Sequence, residues 1–337
     1  MNTIKRDGLT IAVTSYFNPL RYRSRKRNYL LFKSQLSIPL LTIEWSPDGN
    51  FELTEQDADF LIKLSSGDLM WQKERLLNIA FSQVPEQFKY IAWLDSDILF
   101  LEQDWVKKSE ILLKDCYIIQ PFSEIFYLDE STTKEFLKNG EFKQNSHLTS
   151  SQFKRRYSFI HQYQKLGDQL LKDDLNLRFN NQNSNKLSHQ PAYGFAWVAR
   201  KDFINQHQLY DRAILGGSDI LSCYALVNGT KILTETYQSV GWSFYTQNQT
   251  FFTWSEKIAS VTHNQLSFLQ GSLVHLFHGD LKNRQYISRM NGALKYNLDL
   301  DQDIVPTDEG LWKFTKKETQ ASFNDYFYNY LQSRRED

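Results

Sequence analysis

The hydrophobic pattern is clearest in the first hundred residues. Residues 9–17 (LTIAVTSYF) form a short apolar, β-branched run closed by Asn18-Pro19. Such a run without polar alternation predicts a strand buried on both faces, as in a parallel sheet. Residues 28–36 read as a helix. Residues 40–45 (LLTIEW) predict a second strand, ended by the turn signal Ser46-Pro-Asp-Gly. Residues 59–64 predict a third. Gly67-Asp68 then opens a helix over 70–84, with Leu76, Leu77, Ile79, Ala80 and Phe81 on its apolar side. Residues 88–94 predict the next strand. This β-α-β-β-α-β order predicts an α/β fold, with a largely parallel sheet flanked by helices.

The pattern weakens beyond residue 100. Residues 117–122 predict a strand, and 124–172 read as mostly helix and loop with a basic patch at Lys154-Arg-Arg. The asparagine-rich stretch 176–190 has no apolar periodicity and predicts a loop. Residues 192–200 (AYGFAWVAR) predict a strand leading into a helix near Lys201. Leu215-Gly-Gly-Ser-Asp reads as a turn before a helix over 220–226, residues 272–279 (SLVHLFHG) as a late strand, and the tail after Asp299 as helix and loop. No repeat or linker stands out. The expectation is one domain over 1–337: a half at about 9–115, a second half at about 116–298, and an extension over 299–337.

Composition narrows the class. The 39 basic and 39 acidic side chains cancel, which favours neither nucleic acid nor an anionic membrane surface as partner. No apolar run nears the ~20 residues needed for a transmembrane segment, and the N-terminus has no signal-peptide pattern. The two cysteines, Cys116 and Cys223, are too few for a disulfide framework and read as buried thiols of a reducing compartment. Aromatics at 15% fit a large core, with sugar-stacking surfaces as a second use.

One stretch breaks its own pattern. In FKYIAWLDSDILF, an apolar run ends in Asp95 and Asp97 and resumes at once. Ligands of open α/β sheets sit outside the carboxyl ends of strands. Unpaired charges beside an apolar run are costly and need a partner. Carboxylates so placed suit Mg²⁺ or Mn²⁺ with substrate phosphates. Similar triplets at 57–59, 299–301 and 301–303 lack this setting and read as solvated loops.

Three further groups carry chemistry. Asp219 follows Gly216-Gly217-Ser218 at a helix start, and is either a cap or a general base facing an acceptor hydroxyl. His275 and His278 are three apart, so they meet one ion only if the strand turns at its end, which Gly279 permits. Lys282 and Arg284 suit a phosphate or form a solvated basic loop. Trp71 is core or a platform for a flat base, and Lys73 and Arg75 are exposed unless a diphosphate lies near. Tyr193, Trp197 and Trp242 are candidates for stacking on an acceptor. Motifs of zinc proteases, P-loops, dinucleotide folds and serine hydrolases are absent from the sequence.

The order of these motifs resembles the nucleotide-sugar glycosyltransferases of the GT-A fold, a Rossmann-type α/β architecture. WQKERLLNIAF and GGSD look most like the β-1,4-galactosyltransferases and the matching C-terminal catalytic region of polypeptide N-acetylgalactosaminyltransferases. The resemblance implies Asp97 as a metal ligand, Asp95 on metal or nucleotide, His278 as the late ligand and His275 as a second. It implies Asp219 as the base of inverting members, with Gly217 and Ser218 at the acceptor. Thr14, Tyr16, Trp71, Lys73 and Asn78 fall near the donor nucleotide, and Lys282 and Arg284 near its phosphates. Ser218, Ile220 and Leu221 depart from the acidic residues usual there, which leaves acceptor identity open. The expected activity is transfer of a sugar from a nucleotide-sugar donor, first a UDP-sugar, to a glycan or glycoconjugate hydroxyl, with Mn²⁺ or Mg²⁺. The asparagine-rich loop over 176–190 is expected to close over the donor. A metal-dependent nucleotide phosphohydrolase and an inactive carbohydrate-binding protein are the rivals. The expected location is cytoplasmic, or peripheral to a membrane.

Overall fold

The structure is a computed structural model that describes residues 8–139, 153–179, 190–262 and 265–337. Its centre is a seven-stranded mixed sheet. Across that sheet run Leu266–Phe268, Ile118–Gln120, Ala196–Arg200, Tyr90–Leu94, Thr10–Phe17, Leu40–Trp45 and Phe60–Leu64. The four strands from Tyr90–Leu94 to Phe60–Leu64 pair in parallel, as the alternation of strands and helices predicts. Ala196–Arg200 is antiparallel to both of its neighbours. Apolar clusters fill both sides of the sheet. One is built around Ile11, Ile43, Phe81 and Trp93, the other around Tyr29, Phe32, Leu94 and Phe122.

A second, four-stranded sheet holds Ile98–Phe100, Ser272–His275, Glu124–Tyr127 and Lys154–Tyr157. The segment expected to be helix and loop from residue 124 therefore contains two strands. The basic patch Lys154-Arg-Arg is an edge strand, half-exposed and polar, so it shows no apolar alternation. The late strand stops at His275 rather than running to Gly279.

The first helix is Arg23–Gln35, five residues longer at its start than the pattern predicts. Its first turn is basic and lacks an apolar face. The Asp337 carboxylate accepts the Arg23 and Ser24 amides at 2.7 and 2.8 Å, a cap supplied from far along the chain. Such a cap contributes about 1 kcal/mol.

The second helix is Lys73–Ser82. Of the predicted loop 176–190, residues 176–179 belong to the helix Asp168–Phe179, Gln190 is buried, and 180–189 lie outside the described residues. Residues 304–306 and 312–314 form a small hairpin, followed by the helix Lys317–Ser333. Cys223 is buried, whereas Cys116 is only half-buried. Among the described residues, no helix is long and apolar enough to cross a membrane.

Candidate functional site

Asp95, Ser96 and Asp97 make the step from strand Tyr90–Leu94 of the large sheet to strand Ile98–Phe100 of the small one. Two backbone bonds fix the step. The Asp95 amide donates to Phe195 at 2.8 Å, and the Asp97 carbonyl accepts the Leu276 amide at 2.8 Å. The second bond places Asp97 beside the end of the histidine strand. There the chain leaves its strand after His275 and turns through Gly279, whose φ is +94°. The turn lets two imidazoles three residues apart face one point.

Asp97 Oδ2 lies 2.8 Å from His278 Nε2 and 3.6 Å from His275 Nε2, and the two nitrogens are 3.3 Å apart. These three side chains form a candidate metal-ligating group. Burial pushes the His275 imidazole down to about 4 despite Asp97 nearby, so it is neutral at ordinary pH and free to ligate. Burial would raise the Asp97 carboxyl, but the two imidazoles outweigh it and hold it well below its usual range. The other oxygen, Asp97 Oδ1, is buried without a hydrogen bond. An orphaned carboxylate oxygen beside two imidazole nitrogens fits a divalent cation.

Asp95 does not join this group. It accepts Lys73 Nζ at 2.6 Å, and the same ammonium lies 3.9 Å from Asp219 Oδ1. Burial would lower the Lys73 pKa, but Asp219 and Asp95 together raise it above the usual value. Lys73 opens its helix, and Asp219 sits in the first turn of helix Ser218–Leu226. The turn into that helix needs Gly216 and Gly217, at φ +80° and +92°.

A pocket opens on the Asp97–His278 pair and on the Lys73–Asp95 pair, with Asp219 outside its lining. Asp95, Asp97 and His278 line one side with Lys73 and Arg284. Thr14, Tyr16 and Trp71 line it as well. The Thr14 hydroxyl is spent on Leu94 O at 2.7 Å, tying two strands at the pocket floor. The Tyr16 hydroxyl donates to Glu52 at 3.0 Å.

Several other candidates lie elsewhere. Asn78 clamps Leu209 through its backbone amide and carbonyl, so its polar atoms are spent on the fold. Lys282 is 79% exposed and pairs with Asp280. Arg75 pairs with Asp211 at 3.0 Å and stacks on Trp312, held by protein partners alone. The Ser218 hydroxyl is buried and donates to Tyr210 O at 2.6 Å, while Gly217 lies at the helix start with open space beside it. Tyr193 and Trp242 are core residues, packed on Phe159 and on Phe179 with Tyr237. Trp197 is buried against Trp93, with its Nε1 donating to Tyr193 O at 2.9 Å. Tyr193 and Trp242 are closed in by the core, whereas Trp197 also lines the smaller cavity that Asp219 lines.

The pattern did not single out Glu74, Arg25, Arg334 or Glu336. Glu74 is a buried carboxyl beside Lys73, pushed up to about 8 by burial, against the pull of Lys73. With Asp219, Ser222 and Trp254 it lines a second, smaller cavity. Arg25 and Arg334 line the main pocket, and both pair with Glu336. A charged residue in a helix turn reads as exposed, and nothing local in sequence announces the tail's return to this pocket.

No family model and no curated protein matches this chain. Among solved structures, glucosyl-3-phosphoglycerate synthase from Mycobacterium tuberculosis, with Mn²⁺, UDP and glucosyl-3-phosphoglycerate, is 10% identical. That match covers 86% of this chain and 78% of that one, with a TM-score of 0.40. Staphylococcus aureus TarS is 10% identical over 96% of this chain and 49% of its own, with a TM-score of 0.38. A Drosophila β1,4-galactosyltransferase 7 variant, with manganese, UDP-galactose and xylobiose, is 9% identical over 90% and 92%, with a TM-score of 0.34.

Proposed function

We propose that the chain is a metal-dependent glycosyltransferase of GT-A type that moves a sugar from a nucleotide-sugar to an acceptor hydroxyl. One observation carries this reading. A carboxylate–imidazole cluster at a sheet's carboxyl edge shares a pocket with Lys73, whose ammonium lies 3.9 Å from Asp219. A metal site on a donor pocket and a carboxylate in the adjoining cavity, with Lys73 lining both, are the two parts that inverting transfer needs.

Asp97, His275 and His278 would hold the ion. Two imidazoles in the set favour Mn²⁺ over Mg²⁺, which keeps to oxygen ligands. The bound ion supplies Lewis-acid neutralisation of the departing diphosphate. Lys73 holds Asp95 and fixes the spacing between the donor side and Asp219. Asp219 takes the proton from the acceptor hydroxyl, which attacks the anomeric carbon from the face opposite the leaving group, with inversion. In this reading the half at about 9–115 holds the donor and the half at about 116–298 the acceptor. Trp71 is the platform for the nucleotide base, and UDP is the nucleotide to try first.

The test is the melting temperature with UDP or GDP, each with and without Mn²⁺, for the native protein and Asp97→Asn. Ligand bound only to the folded state raises stability. A metal-dependent rise with one nucleotide, lost in Asp97→Asn but kept in Asp95→Asn, supports the reading. No rise with either nucleotide overturns it.

A further inference from the structure

Arg284 makes an unusual contact for a basic residue: its Nη2 lies 2.6 Å from His278 Nε2. That nitrogen is also the one 2.8 Å from Asp97 Oδ2 and 3.3 Å from His275 Nε2. An imidazole nitrogen carries either one hydrogen or one lone pair. It cannot donate to Asp97 and accept from Arg284 together. Ligation of a metal uses the lone pair, at a nitrogen–metal distance near ~2 Å. The guanidinium and a divalent ion therefore compete for one lone pair, and also repel each other.

The surroundings favour a movable arm. Arg284 ends the single turn Leu281–Arg284 and is half-buried, and its other partner, the Tyr286 hydroxyl, lies only two residues on, so it belongs to the same short segment. The cluster it touches is rigid by contrast, since Leu276 bonds the Asp97 backbone and His275 is packed between Tyr127 and Phe195. Arg25 and Arg334 are already paired with Glu336, whereas Arg284 has no carboxylate within 4.0 Å among the described residues. Arg284 also lines the pocket. A guanidinium that leaves His278 stays at the pocket wall, where a diphosphate offers planar, bidentate acceptors.

We propose that Arg284 is a resident cation of the metal cluster, displaced by the divalent ion and then used to bind the diphosphate that the ion carries. The inference rests on the metal and diphosphate reading of this pocket. It makes metal and nucleotide bind with positive coupling, because each relieves a cost of the other. It also predicts an opposite sign for two affinities on loss of one side chain.

Mn²⁺ binding is measured by the electron paramagnetic resonance signal of the free ion, with and without UDP, for the native protein, Arg284→Ala and Arg284→Met. Met keeps the apolar stem if Ala does not fold, and melting curves identify folded variants. Without UDP, the variant binds Mn²⁺ about tenfold more tightly than the native protein, the equivalent of one charge-assisted hydrogen bond. With saturating Mn²⁺, it binds UDP more weakly, and UDP enhances Mn²⁺ binding less than in the native protein. Equal or weaker Mn²⁺ binding by a folded variant overturns the inference and leaves the metal site standing. Absence of Mn²⁺ binding in the native protein and the variant alike overturns the metal reading and this inference together.

Discussion

Lys73 donates to Asp95 at 2.6 Å, so the first carboxylate of the Asp-Ser-Asp triplet is held by an ammonium instead of the imidazole cluster. The side chains are 20% and 27% exposed, between the surface and buried regimes. Removing one partner should therefore cost more than the ~1 kcal/mol of a surface pair and less than the ~3–5 kcal/mol of a buried one. Lys73→Met is expected to destabilise by roughly 2 kcal/mol in urea unfolding, and the Lys73→Met/Asp95→Asn double variant to recover most of it. Additive losses in the double variant would show that the two side chains act apart.

Gly194 tests the position of Asp219. A Cβ at Gly194 would meet Asp219 Oδ2 at 2.7 Å, and the obstructed atom is the end of a side chain that can turn away. Gly194→Ala should leave the melting temperature and donor KM unchanged while displacing the carboxylate. A misplaced base of this kind lowers kcat by roughly 10–100-fold. An unchanged kcat would remove Asp219 from the reaction.

The large sheet was legible because Thr10–Phe17 and Leu40–Trp45 are buried along nearly their whole length, which leaves an unbroken apolar record. The meeting of Asp97 with the histidines was implied by the family resemblance, and the residues themselves showed only that a turn at Gly279 would allow it, which the structure has. What could not be read was set by distant partners. Arg23–Gln35 takes its cap from Asp337, and Lys154–Tyr157 is held by pairing to Glu124–Tyr127 rather than by any pattern of its own. Tyr193 and Trp242 carried the chemistry of a sugar platform, yet only packing decides whether such a ring faces solvent or core.

Glu74 gives the protein a pH dependence of its own. Its folded pKa of about 8 lies above the ordinary 4.5, so between those values the folded state binds a proton that the unfolded state releases. This contribution is fully present below pH 4.5 and is lost as pH rises toward 8. Glu74→Gln should remove it, so that the variant gains stability over the native protein between pH 5 and about 8 in urea unfolding. A difference that stays constant with pH would mean that Glu74 is ionised in the fold.

Glu336 ties the tail to the pocket. Its side chain is 1% exposed and pairs with Arg25, at 3.0 Å from Nη2 to Oε1, and with Arg334 at 2.6 Å. The two arginines outweigh burial and hold its carboxyl far below the usual range. Glu336 Oε2 is also 3.6 Å from His278 Nδ1, on the ring edge away from Asp97. Glu336→Gln leaves two largely buried guanidinium groups without their charge partner, and the expected loss is roughly 3 kcal/mol. By the same linkage, the native contribution is present above pH 4.5 and disappears below it as the carboxylate takes up a proton. The variant should also lose part of its Mn²⁺ affinity if His278 is a metal ligand as proposed, because His278 no longer faces a carboxylate on its second nitrogen. Measuring both separates the roles. Lost stability with unchanged Mn²⁺ affinity would make Glu336 a clasp for the arginines alone, while loss of both makes the tail part of the metal site.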